Sequence, residues 1–159
     1  CKFNCAVGLI MTIQLTYIAV LVMITGIGHF AALYAGLYNG KVWVDIPLHA
    51  LGGVFLGLIW IWLNQRFAAG NNAARQSFLA MRISIVEFAL AGSFLGELVE
   101  FAFWNLLPVP AAQLKIYSAS VGDVLSDMAA GVGGGFVVAV FYGWKIHRNQ
   151  QTDAYPVDN

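Results

Sequence analysis

Four long apolar segments decide what this chain can fold into. They cover approximately residues 6–38, 44–63, 78–107 and 120–144, and about 20 apolar residues in a helix are enough to cross the hydrocarbon core of a bilayer. Over the whole chain, 60% of the residues are hydrophobic and only 10% are charged, whereas soluble domains carry about 25% charged residues. The sequence therefore predicts an all-α polytopic membrane protein, a four-helix transmembrane bundle surrounded by the lipid bilayer.

The basic residues predict how the bundle is oriented. All of them lie in the connections or at the segment ends, and cytoplasmic loops of membrane proteins carry an excess of Lys and Arg. If the N-terminus is inside, the inner side holds Lys2, Arg66, Arg75, Arg82, Lys145 and Arg148, and the outer side holds only Lys41 and Lys115. We therefore expect cytoplasmic N- and C-termini.

Domain organisation and the remaining composition add three expectations. Residues 1–147 should form a single four-span membrane domain, followed by a polar C-terminal tail over residues 148–159. Cys1 and Cys5 would lie on the cytoplasmic side, where structural disulfides are rare, so we expect none. The net charge is +0, and no basic run indicates a nucleic-acid partner.

The acidic residues have the opposite distribution from the basic ones. Six of them lie in or at the edge of an apolar segment: Asp45, Glu87, Glu97, Glu100, Asp123 and Asp127. An ionisable residue inside a membrane span is costly and indicates a functional site. Three pairs each share a helix face through their spacing, namely Asp45 with His49, Glu97 with Glu100, and Asp123 with Asp127. All three pairs fall in the predicted outer half, and we expect them to meet there.

Single residues in this pattern have more than one interpretation. Asp45 precedes Pro47 at a position typical of a helix N-cap. His29 lies in the outer half of the first segment, at a depth similar to that of the acidic pairs. It either hydrogen-bonds a neighbouring helix or serves as a ligand or proton relay. The small residues near His29 and His49 also leave room for a pigment or haem ring. Glu87 lies ten residues before Glu97, hence about 15 Å deeper, the depth at which a pathway across the membrane needs a polar group.

Carboxylates combined with imidazole indicate a divalent metal such as Mg, Mn, Zn or Fe rather than a metal that prefers thiolates. The predicted ligands are Asp45, His49, Glu100, Asp123 and Asp127, with Glu97 as the catalytic acid or base. Such a site can activate water against a phosphate or ester. The first hypothesis is therefore a metal-dependent hydrolase, or another enzyme that modifies a lipid or envelope substrate.

Other functions fit the same residues. Partly protonated acids can hydrogen-bond the bundle together without any ligand. The chain would then be a non-enzymatic accessory subunit of a larger membrane complex, or a homo-oligomer. In either, helices would pack through the small residues at Gly53/Gly57, Gly92/Gly96 and Gly131/Gly135. A cation or proton pathway is a third hypothesis.

Three short motifs also resemble a known family. They are Asp45-Ile46-Pro47-Leu48-His49 followed by Gly52-Gly53, then Gly96-Glu97-Leu98-Val99-Glu100, then Gly122-Asp123 through Asp127-Met128. Together they resemble the VanZ-like proteins and related uncharacterised small bacterial inner-membrane proteins, over about residues 43–140. The resemblance implies a helical bundle in the bacterial inner (plasma) membrane and, for the namesake of the family, a link to glycopeptide resistance. It implies no particular reaction.

Overall fold

The computed structural model describes residues 2–37, 42–68, 78–107 and 121–154, with side chains for residues 15–37, 43–67, 79–107 and 121–144. All regular elements in these ranges are helical. They are α1 (Lys2–Tyr34), a 3-10 turn (Val42–Val44), α2 (Ile46–Ala68), α3 (Phe78–Leu106) and α4 (Val121–Ala154). Each α-helix contains a stretch of between 20 and 28 residues that is long and apolar enough to cross a membrane. The predicted all-α fold with four spans is confirmed.

The helix boundaries differ from the predicted segments mainly at the ends. α1 ends at Tyr34, short of the predicted end at Tyr38, which lies outside the described residues. α4 continues to Ala154, well beyond Trp144 where its apolar span ends. Neither Gly nor Pro follows Trp144 until Pro156, so the sequence contains no helix breaker at the point where the hydrophobicity stops. The first part of the predicted polar tail, from residue 148 to Ala154, is therefore helical.

Gly36 ends the first helix. Its φ angle is 66°, in the left-handed region that glycine adopts without a steric penalty. The N–H of Gly36 donates to the carbonyl of Leu33 at 3.1 Å, and the N–H of Leu37 donates to the carbonyl of Ala32 at 2.9 Å. These two bonds form a Schellman motif, which satisfies the last carbonyls of α1 and directs the chain away from the helix axis.

The second helix begins immediately after Asp45. The carbonyl of Asp45 accepts hydrogen bonds from the N–H groups of Leu48 at 2.9 Å and His49 at 3.1 Å, so Asp45 occupies the predicted N-cap position. Pro47 lies in the first turn, where a missing N–H leaves no intrahelical bond unmade. This start fixes Asp45 at the helix end and places His49 one turn along the same face.

Helices α2, α3 and α4 pack pairwise against one another, and α1 packs mainly against α2. The apolar core lies toward the end of the bundle opposite to Asp45, and its buried members are Ile61, Met81, Ile85, Val138 and Ala139. Large apolar side chains also point outward: Ile27 on α1, Val99 on α3 and Phe141 on α4 are each more than 60% exposed. Exposed apolar surface of this extent suits contact with lipid rather than with water.

Helices α2 and α4 approach each other most closely at their glycines. A Cβ atom added at Gly53 would overlap the carbonyl oxygen of Gly131, and one added at Gly134 would overlap the carbonyl oxygen of Ala50. Farther along both helices, Gly57 faces Val138, so the two helices run in the same direction. Small residues at such a crossing let two backbones touch, as is common between membrane helices.

Candidate functional site

His49 lies at the centre of the acidic residues. Its Nε2 atom is 3.5 Å from Asp45 Oδ2 and 3.8 Å from Asp127 Oδ2. Its Nδ1 atom is 3.9 Å from Glu97 Oε1. The carboxylates come from the start of α2, from α3 and from α4, so each helix of the central bundle contributes one acid around this imidazole. The structure thus brings together at least one member of each pair that the sequence singled out.

Asp45, His49 and Asp127 form the candidate metal group. One ligand atom from each residue lies within 4.8 Å of the other two. Ligand atoms bound to a tetrahedral ion at about 2.1 Å are separated by roughly 3.4 Å, close to the two distances measured from His49 Nε2. Small side-chain adjustments would therefore let these three residues coordinate a single divalent ion.

Two of the carboxylates around His49, those of Glu97 and Asp127, are buried. Glu97 is 7% exposed and Asp127 is 5% exposed. Among the described residues, Glu97 Oε1 and Asp127 Oδ1 are buried oxygens without a hydrogen-bond partner, and the 3.9 Å separation between Glu97 and His49 is too long for a hydrogen bond. A buried, unpaired carboxylate is costly, so these oxygens call for a proton or a cation.

Glu97 faces the nitrogen of His49 that points away from the two aspartates. In metal sites, a ligating histidine almost always donates its second N–H to a carboxylate or carbonyl, which fixes the ring orientation. The position of Glu97 suits that role, because Nε2 faces Asp45 and Asp127 while Nδ1 faces Glu97. The sequence-based assignment of Glu97 as the catalytic acid or base stays a prediction.

Glu100 and Asp123 lie around the group rather than within it. Among the described side chains, the only set of three or more residues with converging ligand atoms is Asp45, His49 and Asp127. Glu100 interacts electrostatically with these three residues, and Asp123 interacts in the same way with Asp127 and Glu97. The structure therefore brings both acids near the site, while their prediction as direct ligands stays a prediction.

The two remaining candidates from the sequence, His29 and Glu87, are not members of the metal group. The ring of His29 lies edge-on against Phe30, with 5.8 Å between the ring centroids. A Cβ atom at the adjacent Gly28 would lie 3.6 Å from Leu48, so α1 holds His29 near the level of the start of α2. Glu87 is exposed on α3.

Ser93, which the sequence did not single out, lies next to the site. A Cβ atom added at Gly131 would overlap Ser93 Oγ and lie 3.6 Å from the carbonyl oxygen of His49. Ser93 is four residues before Glu97 and thus shares its helix face. That spacing was the one available signal, but a single serine in an apolar helix is too common to predict a site.

The profile of one protein family, described as "Predicted membrane protein (DUF2238)", matches residues 2–149. The chain belongs to this family. The region matched by DUF2238 contains α1 to α3, the apolar span of α4 and every residue of the candidate site. Neither a curated protein nor a solved structure matches the chain. Membership in DUF2238 confirms the broader part of the sequence resemblance, a family of membrane proteins, while its VanZ-like part stays a prediction.

Proposed function

We propose that this DUF2238 protein is a metal-dependent membrane enzyme whose divalent ion is held by Asp45, His49 and Asp127. The observation that carries the proposal is the convergence of three ligand atoms within 4.8 Å, beside buried carboxylate oxygens that no described residue satisfies. Two carboxylates and one imidazole favour Mn, Fe or Zn, and Mg is the next choice. The three candidate ligands include no thiolate.

An incomplete ligand set favours catalysis over a structural role. Structural zinc sites are closed by four protein ligands, whereas catalytic sites have three and leave a position for water or substrate. With Asp45, His49 and Asp127 bound, the ion would have such a position. It would lower the pKa of a bound water and polarise a phosphoryl or carbonyl oxygen. Glu97 then either orients His49 or exchanges a proton with the reacting groups.

The location of the group indicates the class of substrate. Asp45 lies at the start of α2 and Asp127 lies in the second turn of α4, so the site is at one end of the bundle rather than at its middle. A phosphate or ester at the head of a lipid, or an envelope precursor anchored in the bilayer, reaches this depth. In the orientation predicted from the basic residues, this end faces outward from a bacterial inner membrane.

The first test is elemental analysis of the detergent-purified protein after incubation with Mn, Fe or Zn and removal of excess metal. We expect one equivalent of metal in the wild type and a loss of most of it in Asp127→Asn and His49→Ala. Glu87→Gln is the matched control, because it removes a carboxylate of the same chain that is exposed away from the group. Wild-type protein without metal would contradict the proposal. In that case His49 would act as a cation paired with the three carboxylates, as expected of a non-enzymatic subunit.

The second test addresses the reaction. Metal-loaded protein in mixed micelles is supplied with phosphatidic acid or with a diacyl phospholipid, and the release of phosphate or of fatty acid is measured. We expect one of these activities in the wild type and in Glu87→Gln. Asp127→Asn should lose at least about 100-fold, because a bound ion would supply both the activated water and the charge stabilisation. A protein that binds one equivalent of metal but hydrolyses neither lipid would support the metal site and contradict lipid hydrolysis.

A further inference from the structure

Glu87 is a carboxylate on the lipid-facing side of a membrane helix. It belongs to the apolar span Leu79–Leu106 of α3 and its side chain is exposed. It lies eight positions after Leu79, a rise of about 12 Å, and hence within the hydrocarbon region rather than at the interface. A charged or unpaired carboxyl is unfavourable there, and such residues in membrane proteins almost always face a bundle interior or a partner.

The rotation of α3 places Glu87 at the middle of its outer face. Ile85 and Ala89, two residues to either side, are completely buried against the bundle. Ile83, Leu90 and Phe94 share the outer face at intervals of three or four residues and are 48%, 45% and 50% exposed. We call this set with Glu87 the α3 stripe. Its spacing is that of a helix surface built to pack along another helix.

The described residues provide no polar partner for this carboxyl. Among the described residues, Glu87 makes no hydrogen bond and no ion pair. The nearby hydroxyl of Ser84, one turn away, is already engaged: it accepts from Trp60 Nε1 at 2.8 Å and donates to the carbonyl of Met81 at 2.9 Å. Helix α1 packs mainly against α2 and leaves the α3 stripe uncovered.

We propose that the α3 stripe is the contact between two copies of this chain, related by a two-fold axis along the membrane normal that passes beside Glu87. A protonated carboxyl is both a donor and an acceptor, so two of them can form a reciprocal pair. The two-fold axis brings Glu87 of both copies to the same depth without any other requirement. A second copy is thus a partner that necessarily carries a complementary group at the right level.

Other surfaces of a second copy fit less well. Among the described exposed side chains of α4, only Trp144 at the far end of the apolar span carries a polar group, its indole N–H. On the described part of α3 the other exposed polar side chain is Asn105 near the helix end. Tyr17 on α1 is exposed, but a contact between Tyr17 of one copy and Glu87 of the next is head-to-tail and does not close into a dimer. In the symmetric α3 contact, each Glu87 carboxyl finds its hydrogen-bond partner in the Glu87 carboxyl of the other copy.

Cysteine cross-linking in native membranes tests the interface. In a background of Cys1→Ser and Cys5→Ser, Phe94→Cys places a thiol on the α3 stripe two turns from Glu87, and Phe141→Cys places one on the exposed face of α4. We expect oxidation to give a covalent dimer for Phe94→Cys and none for Phe141→Cys. Absence of the Phe94→Cys dimer, or equal cross-linking at Phe141→Cys, would overturn the proposal.

Two variants of Glu87 test the chemistry of the contact. Glu87→Gln keeps a donor and an acceptor, and should dimerise like the wild type in a fluorescence-transfer titration over lipid dilution. Glu87→Leu keeps the surface apolar but removes the interhelical hydrogen bonds, and should dimerise about tenfold more weakly. Unfolding by SDS titration serves as the folding control, and it does not depend on bound metal. Equal dimerisation of Glu87→Leu and wild type would reject the carboxyl pair, and this result is independent of whether the metal site exists.

Discussion

Gly53 of α2 and Gly131 of α4 lie backbone against backbone, each four residues beyond a member of the candidate metal group. His49 precedes Gly53 by one turn, and Asp127 precedes Gly131 by one turn. Because the two helices run in the same direction, the contact between the glycines sets how closely the His49 ring and the Asp127 carboxylate can approach. The 3.8 Å between them therefore depends on two residues that carry no functional group.

The first prediction concerns this crossing. Gly53→Ala should separate α2 from α4, because the added Cβ would overlap the carbonyl oxygen of Gly131. We expect a loss of about 1–3 kcal/mol in the free energy of unfolding, as for other overpacked contacts, together with weaker metal binding. The measurements are unfolding by SDS titration in mixed micelles and metal content after dialysis.

The matched control for this prediction is the neighbouring Gly52→Ala. A Cβ atom at Gly52 has no atom within 4 Å among the described residues, and Ala is the better helix former by about 0.5–1 kcal/mol in soluble proteins. The same contrast applies on the partner helix, with Gly131→Ala against Gly133→Ala. Equal behaviour of Gly53→Ala and Gly52→Ala would mean that the glycine contact does not control the site.

The depth of the candidate site could be predicted from the sequence, but its exact membership could not. The rise of a helix is constant, so counting residues from the ends of α2, α3 and α4 was sufficient to place Asp45, Glu97 and Asp127 near one level. The rotation of each helix about its own axis could not be predicted in this way, because it depends on packing between helices. Glu97 and Glu100 lie about 60° apart on the helix circumference, and only the observed packing puts Glu97 beside His49.

The sequence also could not predict which residues of different helices would contact one another. Trp60 is an example: its Nε1–H donates to Ser84 on α3, and its ring stacks on Phe88 with 4.8 Å between centroids. Neither contact has a local sequence signal, because each depends on the relative positions of α2 and α3. The glycine spacings, by contrast, predicted correctly that the helices approach closely, though not which glycines would meet.

The second prediction separates an orienting role of Glu97 from a role as a direct ligand. Because Glu97 faces Nδ1 of His49 while the metal group uses Nε2, Glu97→Gln should keep the metal stoichiometry. It should lower the affinity by about 10–100-fold, which is usual for partners that hold a ligating histidine. Competition with a chromophoric chelator measures this affinity. Glu100→Gln serves as the comparison and should have a smaller effect, since Glu100 interacts with His49 electrostatically but is not among the described carboxylates that form an ion pair with the ring. A Glu97→Gln protein that loses all metal, as Asp127→Asn is expected to do, would instead make Glu97 a ligand.

The third prediction concerns the apolar end of the bundle. Ser84→Ala removes the acceptor of the Trp60 N–H, which links α2 to α3, and should destabilise the protein by about 0.5–1.5 kcal/mol, the range for hydrogen bonds between membrane helices. SDS titration followed by tryptophan fluorescence measures the change. Ser126→Ala is the control: its hydroxyl donates to the carbonyl of Asp123 within α4 at 2.7 Å, so its loss leaves the contacts between helices intact. Similar losses in both variants would contradict a special role for the Trp60–Ser84 bond.

The fourth prediction concerns which side of the membrane the site faces. In a background without Cys1 and Cys5, Asn105→Cys places a thiol at the end of α3 near the candidate site, and Phe67→Cys places one at the opposite end of α2; both positions are exposed. The distribution of Lys and Arg predicts that a membrane-impermeant maleimide labels Asn105→Cys on intact spheroplasts and labels Phe67→Cys only after permeabilisation. The reverse pattern would contradict the predicted orientation. It would also change the proposed substrate, since the metal group would then face lipids and metabolites of the cytoplasm instead of the cell envelope.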